Sequence, residues 1–281
     1  MLREKLLSGN LRKHSEQLNK FVSGFFDTDG CIGVTLDKGY LKIYSKITQA
    51  SSKDPDFEVM RALNNHYKLG YVSFYIPSME NSAGVCDWVM NISDSKKFFN
   101  IVGKHLLVKR EYFEECIFLY EELKGLRLNT AQYEEIKEYL SCIKNKNTIY
   151  RKPKHLSWAY VAGLLCGDGH FRCKLSKTNE LEVELYSTCF PLLEQIVKCF
   201  KGTIREKRNN YFKWRRSLGK GSYQFAIWFL PKIRKYSLLE TKRNVIDRML
   251  VFHKLPAETK YGEDVNNDVL CNSPSVFNTF A

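Results

Sequence analysis

One nine-residue segment occurs twice in this chain in altered form, and the repetition constrains the fold more than any other feature. The first copy, VSGFFDTDG, covers Val22–Gly30, and the second, VAGLLCGDG, covers Val161–Gly169. Both copies begin with apolar and small residues, and both end in Asp-Gly, at Asp29 and Asp168. A segment that recurs over such a separation predicts two copies of one domain in a single chain.

Each copy has the pattern of a helix whose C-terminal end carries a carboxylate. The closing residues, Gly30 and Gly169, are expected to adopt the left-handed conformation that ends many helices. A carboxylate is unfavourable at a helix C-terminus, because the helix dipole is negative there, unless a cation compensates. The repeated carboxylates, Asp29 and Asp168, therefore indicate a metal site.

Small side chains in both segments predict that the two helices pack side by side. They are Ser23, Gly24 and Thr28 in the first copy and Ala162, Gly163 and Gly167 in the second. Such packing would bring Asp29 and Asp168 to the same end of the interface, where like charges repel unless divalent ions lie between them. The expected cofactor is Mg²⁺, which prefers oxygen ligands and shares its coordination with water and phosphate. Mn²⁺ and Ca²⁺ could occupy the same site.

The sequence that follows each motif repeats as well. Apolar and polar residues alternate over 31–49 and again over 170–187, which predicts a hairpin after each motif helix. Further on, the runs 106–110 and 238–243 each open a helix with basic residues. The prediction is an α/β (α+β) protein of two pseudo-symmetric αββαββα repeats. Repeat one is placed at 1–145, and the linker, repeat two and C-terminal tail at 146–281.

The boundary between the repeats is predicted in the stretch 144–157, which is basic, polar and contains proline. The tail that begins at Pro256 carries little periodicity. It is either partly disordered or a strap that joins one repeat to the other, and the sequence leaves both alternatives open.

With these motifs the chain resembles a single-chain, two-repeat LAGLIDADG homing endonuclease, over about residues 16–250. The resemblance implies two antiparallel sheets that form a saddle over double-stranded DNA, with the motif helices at the centre. It also implies a monomer that needs no protein partner and that cuts a long, asymmetric target with a divalent metal. Two alternatives remain open, namely an RNA-splicing maturase of the same fold and a DNA-binding regulator without catalysis.

The resemblance also assigns roles to individual residues. The last acidic residues of the motifs, Asp29 and Asp168, match the metal-binding catalytic positions of the family. Gln49 matches a polar position that orders active-site water, and its counterpart in copy two is Ser187. We therefore expect the two half-sites to be chemically unequal.

Two lysines, Lys109 and Lys242, match a basic position near the scissile phosphates in the family. A lysine there would stabilise the negative charge that develops during cleavage, although both could instead be ordinary surface lysines. The earlier acidic position of the motif is Asp27 in copy one and Cys166 in copy two. Since the family tolerates variation there, Asp27 is expected to serve structure.

Strand alternation predicts which side chains face DNA. His170, which follows the second motif and could be taken for a metal ligand, is assigned to this face. For Glu182 and Glu184 two alternatives stand, which are acceptance of a hydrogen bond from cytosine and pairing with nearby lysines. The set in copy one is Thr35, Asp37, Tyr40, Lys42, Tyr44, Lys46, Thr48, Ser73, Tyr75 and Asp87, and in copy two His170, Arg172, Lys174, Ser176, Glu182 and Glu184.

The densest basic segment is 201–220, with eight cationic residues against one glutamate. It could be a solvated hairpin tip, but this imbalance favours a loop that follows DNA phosphates. The phosphate-binding candidates are Arg205, Lys207, Arg208, Arg215 and Arg216.

Composition agrees with a polyanionic partner, because 44 Lys and Arg residues against 31 Asp and Glu give a net charge of +13. A membrane partner is not expected, since no apolar run approaches 18 residues and no signal-peptide pattern is present. The nine cysteines have no zinc-ligand spacing, which is typical of a reduced intracellular protein. If the chain is encoded by an intron, the resemblance implies an organelle as its location.

Overall fold

The computed structural model describes residues 2–11, 15–75, 84–145, 153, 155–174, 180–208, 210–219 and 221–254. Three sequence predictions fall wholly or partly outside these residues. They concern Ser176, the tail from Pro256 and most of the predicted linker. The side chain of Arg208 also lies outside the described part.

Helices and pairs of strands follow one another along the chain in the predicted order. The helices are α1 (Leu2–Leu7), α2 (Glu16–Asp29), α3 (Glu58–Tyr67), α4 (Ile92–Val102), α5 (Arg110–Leu123), α6 (Thr130–Lys144), α7 (Trp158–Gly167), α8 (Phe190–Phe200), α9 (Tyr223–Tyr236) and α10 (Glu240–Lys254). The strands are β1 (Gly30–Asp37), β2 (Tyr40–Ala50), β3 (Tyr71–Tyr75), β4 (Val85–Asn91), β5 (Gly169–Lys174), β6 (Glu180–Ser187), β7 (Thr203–Arg208) and β8 (Tyr211–Ser217).

Each repeat forms one four-stranded antiparallel sheet, with strand order β1-β2-β4-β3 in the first and β5-β6-β8-β7 in the second. The predicted αββαββα repeat is therefore confirmed. Helices α5 and α6 extend it in the first repeat, and α10 extends it in the second. The precise domain boundaries stay a prediction.

The motif helices α2 and α7 pack against each other at the centre of the molecule. A Cβ atom on Gly24 would lie 2.1 Å from the carbonyl oxygen of Tyr160, and one on Gly163 would lie 2.1 Å from that of Phe21. Only glycine allows the two backbones to approach this closely. The prediction that Ser23 helps the two helices to approach is wrong. Its hydroxyl donates to the Val102 carbonyl, 2.9 Å away, in the first repeat.

The expected left-handed helix caps are wrong. Gly30 has φ −77° and ψ 149°, which is extended backbone, and Gly169 is the first residue of β5. Each motif helix thus runs directly into a strand. Glycine is needed for space, since a Cβ atom would lie 2.4 Å from the Phe26 carbonyl oxygen at Gly30 and 2.4 Å from the Leu165 carbonyl oxygen at Gly169.

Alternating burial in the strands places the helices on one face of each sheet. In β2, Leu41, Ile43 and Ile47 are buried against the helices, whereas Lys42 is exposed on the opposite face. The same pattern buries Trp88 in β4. We call the face away from the helices the outer face of each sheet. Within the described residues, no helix combines the length and apolarity that a membrane crossing requires.

Candidate active site and nucleic-acid interface

Asp29 is the last residue of α2 and lies beside the end of β2. The Gln49 amide nitrogen donates a hydrogen bond to its carboxylate. The other amide atom, Gln49 Oε1, is buried and accepts no hydrogen bond from the described residues. Burial raises the pKa of Asp29, the nearby ammonium of Lys53 opposes this, and the charge of Asp168 adds to it. A Cβ atom on Gly167, the residue before Asp168, would lie 3.2 Å from the Asp29 carboxylate, so the two motif carboxylates lie at the same end of the helix pair.

Asp168 follows α7 directly, at the matching point of the second repeat. Burial raises the pKa of its carboxyl group, and three lysines, Lys53, Lys109 and Lys242, oppose the increase. Two partly buried acidic groups and three cations therefore share one end of the central helix pair. The structure brings together the predicted residues Asp29, Asp168, Gln49, Lys109 and Lys242.

Lys53 is a member of this cluster that the sequence did not predict. It lies in the turn after β2, and its ammonium group is 3.6 Å from the Asp29 carboxylate. The same ammonium donates a 2.7 Å hydrogen bond to the carbonyl of Gly167 in the second repeat. The main-chain carbonyl of Lys53 accepts a 2.7 Å hydrogen bond from the Thr241 hydroxyl. Lys53 thus joins the ends of both motif helices.

Lys109 lies under the end of α2 and holds it by main-chain hydrogen bonds. Its ammonium donates to the carbonyls of Phe26, Thr28 and Gly30, at 2.9, 2.8 and 2.6 Å. A cation at a helix C-terminus is electrostatically favourable. Burial nevertheless lowers the pKa of Lys109. The lysine is part of the site's architecture rather than a free surface residue.

Lys242 occupies the corresponding place in the second repeat, in the first turn of α10. Its ammonium donates to the carbonyl of Gly169, the counterpart of Gly30. Burial lowers the pKa of Lys242 as well. The surface-lysine alternative therefore does not describe either residue.

Asp27 is buried and acts as a structural acceptor. Its carboxylate accepts from the main-chain N–H groups of Leu107, Val108 and Lys109 and from the Tyr160 hydroxyl, at 2.7–3.2 Å. These bonds fix the start of α5, and with it Lys109, against α2. In the second repeat Cys166 makes a 3.2 Å contact with the Ser237 hydroxyl instead.

The two half-sites differ at a position near the end of the second strand of each repeat. The register aligns Gln49 with Ser187, because Gly30 pairs with Ile47 and Gly169 pairs with Leu185. The Ser187 hydroxyl accepts a 3.0 Å hydrogen bond from the main-chain N–H of Cys189, in its own turn. The structure shows no bond from Ser187 to Asp168, so the contact between amide and carboxylate belongs to the first half-site.

The outer face of the first sheet carries every residue predicted to face DNA in copy one. Alternation and register place these side chains on one surface, where Ser73 pairs with Asp87 and Gly33 pairs with Tyr44. The members are Thr35, Asp37, Tyr40, Lys42, Tyr44, Lys46, Thr48, Ser73, Tyr75 and Asp87.

The outer face of the second sheet carries most of the residues predicted for copy two. Register places His170, Arg172, Lys174, Glu182, Glu184, Arg205 and Arg215 on it. Lys213, which was not among the predicted contacts, lies on the same face. Lys207 is exposed and lies at an irregularity between Glu206 and Arg208. The basic segment is thus a hairpin of β7 and β8 at the sheet edge rather than a loop.

Arg216 does not belong to this set. It pairs with Val183, a buried residue, and therefore points to the helix side of the sheet. Its guanidinium group lies over the ring of Phe225 in α9, 4.8 Å from the centroid. Period-two alternation along β8 places Arg215 and Arg216 on opposite faces, so they cannot both contact the same DNA.

Comparison with known proteins shows which fold these elements build. No protein-family model and no curated protein matches the sequence. Solved structures do match, among them the LAGLIDADG homing endonuclease I-GzeII in complex with its DNA target, with 14% identity and a TM-score of 0.64 over 90% of this chain and 95% of that one. The LAGLIDADG meganuclease I-AabMI bound to uncleaved DNA has 17% identity and a TM-score of 0.61, over 88% and 93%.

A third structure, I-SmaMI bound to an uncleaved DNA target in the presence of calcium ions, has 15% identity and a TM-score of 0.61. The match covers 84% of this chain and 90% of that one. The three similarities span nearly whole chains at low identity. The chain therefore has the two-repeat LAGLIDADG meganuclease fold.

Proposed function

We propose that this protein is a site-specific endonuclease that makes a metal-dependent double-strand break in a long, asymmetric DNA target. One observation carries the proposal. The carboxylates of Asp29 and Asp168 lie at the common end of two closely packed helices, where the Lys53 ammonium is 3.6 Å from the Asp29 carboxylate and 2.7 Å from the carbonyl of Gly167. Two partly buried like charges at helix C-termini are costly for the fold, because the dipole disfavours them there, and this cost favours a role in metal binding.

The residues present fit a divalent metal ion. Asp29 and Asp168 would hold it, because carboxylate oxygens are the ligands that Mg²⁺, and likewise Mn²⁺ or Ca²⁺, prefers. No group of three or more His, Cys, Asp or Glu side chains with metal-binding geometry occurs in the described residues. Two carboxylates suit an ion that completes its coordination with water and DNA phosphate. When bound, such ions lower the pKa of water and stabilise the leaving oxygen in phosphoryl transfer.

The protein side chains position water and charge around the scissile phosphates. Gln49 Oε1 has no partner among the described residues, so it is free to accept a hydrogen bond from an attacking water molecule. Lys53, Lys109 and Lys242 supply positive charge where a pentacoordinate phosphate would develop negative charge. Because Lys109 and Lys242 are held by main-chain carbonyls, this charge is oriented before DNA binds.

The outer faces of the two sheets would bind the DNA on either side of these carboxylates. They carry hydroxyl and charged side chains that can contact base edges and phosphates. Both half-sites lie on one chain, so a monomer suffices and the target need not be palindromic. Two LAGLIDADG relatives of this fold were solved on uncleaved DNA, which supports duplex DNA as the partner.

Cleavage of a randomised duplex library tests this proposal. The protein is incubated with the library in Mg²⁺ or in EDTA, and the broken ends are sequenced. We expect one consensus sequence at the ends in Mg²⁺ and none in EDTA. Intact DNA in both conditions, with binding to structured RNA, would instead favour a maturase. Intact but selectively bound DNA would favour a non-catalytic regulator.

A further inference from the structure

The outer face of the second sheet carries carboxylates that are already paired with its cations. The Glu184 side chain is 1% exposed. One of its oxygens accepts a 2.7 Å hydrogen bond from Lys213, and the other accepts a 2.9 Å hydrogen bond from Tyr186. Burial raises the pKa of Glu184, but these two hydrogen bonds and the charge of Lys213 hold it below its ordinary value. Glu184 is therefore ionised in the folded protein at neutral pH.

Glu182, two residues earlier on β6, repeats the arrangement nearer the surface. Its carboxylate accepts a hydrogen bond from the guanidinium group of Arg215, whose side chain is 36% exposed. The free oxygen of Glu182 is buried. A base edge therefore cannot reach that oxygen without rearrangement. Of the two alternatives that the sequence leaves open, the structure shows the predicted pairing with a lysine for Glu184, and it shows pairing with an arginine for Glu182.

The first sheet has a comparable pair on its outer face. Asp87 accepts hydrogen bonds from Lys46 at 2.9 Å and from Thr48 at 2.5 Å. By contrast, Arg205 and Lys207 on β7 are exposed and form no ion pair with any described residue. On the outer faces, Lys42, Lys46, Lys213 and Arg215 are thus each paired with a carboxylate, whereas Arg205 and Lys207 on the edge strand β7 have no such partner in the described part of the chain.

We infer that Glu182 and Glu184 are specificity-determining residues, which act by withholding Arg215 and Lys213 from DNA phosphates. This inference rests on the proposed function, and it explains how the second repeat would distinguish the target from other DNA sequences. A cation that contacts phosphate increases the affinity for every DNA sequence, because counterion release does not depend on sequence. A cation that is held by a neighbouring carboxylate contributes little to that general affinity. Binding then depends more on contacts to base edges, which carry the sequence information.

The Glu182–Arg215 pair allows a direct test, because Arg215 is exposed enough to turn towards DNA once Glu182 is neutral. Glu182→Gln keeps the shape of the side chain and removes its charge. On random-sequence duplex DNA, we expect it to steepen the log–log salt dependence by about 0.9 and to tighten binding roughly five- to tenfold near 0.1 M salt. On the target recovered from the library the gain is smaller, so the ratio of specific to non-specific affinity falls.

Two further variants make the test specific to this pair. The double variant Glu182→Gln/Arg215→Gln removes the released cation, so its salt dependence returns to the wild-type slope. Asp247→Asn is the matched control, because it also removes one carboxylate from an arginine, Arg234, but on helices α9 and α10 away from the outer face. It adds the same net charge and leaves the slope unchanged.

The outcomes separate this inference from the proposed function. If wild-type protein does not bind duplex DNA at all, the proposed function fails. If it binds with a normal salt slope and Glu182→Gln leaves that slope unchanged, only the inference fails. The inference is also overturned if Glu182→Gln weakens binding to the recovered target alone, since the carboxylate would then read a base. Glu184→Gln would leave the buried Lys213 without its carboxylate and could prevent folding. Its DNA binding is therefore compared with that of wild type only after its unfolding midpoint has been measured.

Discussion

The ammonium group of Lys53, in the first repeat, donates a 2.7 Å hydrogen bond to the main-chain carbonyl of Gly167, in the second. Gly167 immediately precedes Asp168, and the same ammonium lies 3.6 Å from the Asp29 carboxylate. One side chain therefore contacts the ends of both motif helices. Its position suits a cation that screens the repulsion between the two carboxylates.

The first prediction concerns the pH dependence of cleavage. The pKa of Asp29 is raised above the ordinary value of 3.8 by burial and by Asp168, and Lys53 opposes the increase. Metal binding by these residues would require ionised carboxylates, so the cleavage rate should decrease as the pH falls through the raised pKa. Lys53→Met removes the opposing charge. We expect the acidic limb of the pH–rate profile to move to higher pH, in addition to a lower rate.

Lys20→Met is the control for this shift, because Lys20 pairs with Glu16 at the far end of α2. It should leave the acidic limb in place. A Lys53→Met profile that is lower but not displaced would mean that Lys53 does not set the charge state of the carboxylates.

The second prediction concerns the close approach of the central helices. Gly24→Ala places a Cβ atom 2.1 Å from the Tyr160 carbonyl oxygen, which forces α2 and α7 apart. Overpacking in a core costs about 1–3 kcal/mol and occasionally more, and we expect Gly24→Ala at or above the upper end. Gly84→Ala, whose added Cβ atom would meet its nearest neighbour at 3.7 Å, should change the free energy of unfolding little. Denaturant unfolding of both variants measures this, and equal midpoints would contradict the packing.

The third prediction concerns the unequal half-sites. Gln49 bonds to Asp29, whereas the Ser187 hydroxyl is used within its own turn. The two strands should then be cut at different rates, and nicked plasmid should accumulate before linear product. Gln49→Ser should slow one cut, and Ser187→Gln should reduce the imbalance if the longer side chain reaches Asp168. A time course with each strand end-labelled separately follows both cuts. Equal nicking rates without an open-circle intermediate would show that the difference has no kinetic effect.

The fourth prediction concerns general DNA affinity. Arg205→Gln/Lys207→Gln removes two cations from β7, the edge strand of the second sheet. Each lost phosphate contact should reduce the log–log salt slope by about 0.9. Arg216→Gln, on the helix side of the same hairpin, should leave the slope unchanged, and so should Lys198→Gln on α8. A slope that depends on Arg216 but not on Arg205 would place the DNA elsewhere.

Much of the fold could be predicted from the sequence, because the signals are local. The repeated motif, its small residues and the alternation after it predict the helix pair, the hairpins and the outer faces. Asp29 and Asp168 could be paired because the repeat itself implies that they occupy equivalent positions.

The remaining features depend on contacts between segments that are distant in sequence. Lys53 lies in a turn without periodicity, and its role arises only where the end of α7 packs beside it. The register between β6 and β8 decides that Arg215 and Arg216 face opposite sides, and a run of cations does not reveal register. The predicted left-handed caps at Gly30 and Gly169 are wrong because glycine is needed there for close packing. A glycine required for space cannot be distinguished in the sequence from one required for a left-handed turn.

The central claim is that Asp29 and Asp168 together hold the metal that cuts the two strands. Its most direct test is strand-resolved cleavage of the recovered target by Asp29→Asn and by Asp168→Asn in Mg²⁺, with binding measured in parallel. The account predicts that each variant loses double-strand cleavage while specific binding is largely retained. If both variants still cut both strands at near wild-type rates, the metal assignment is contradicted.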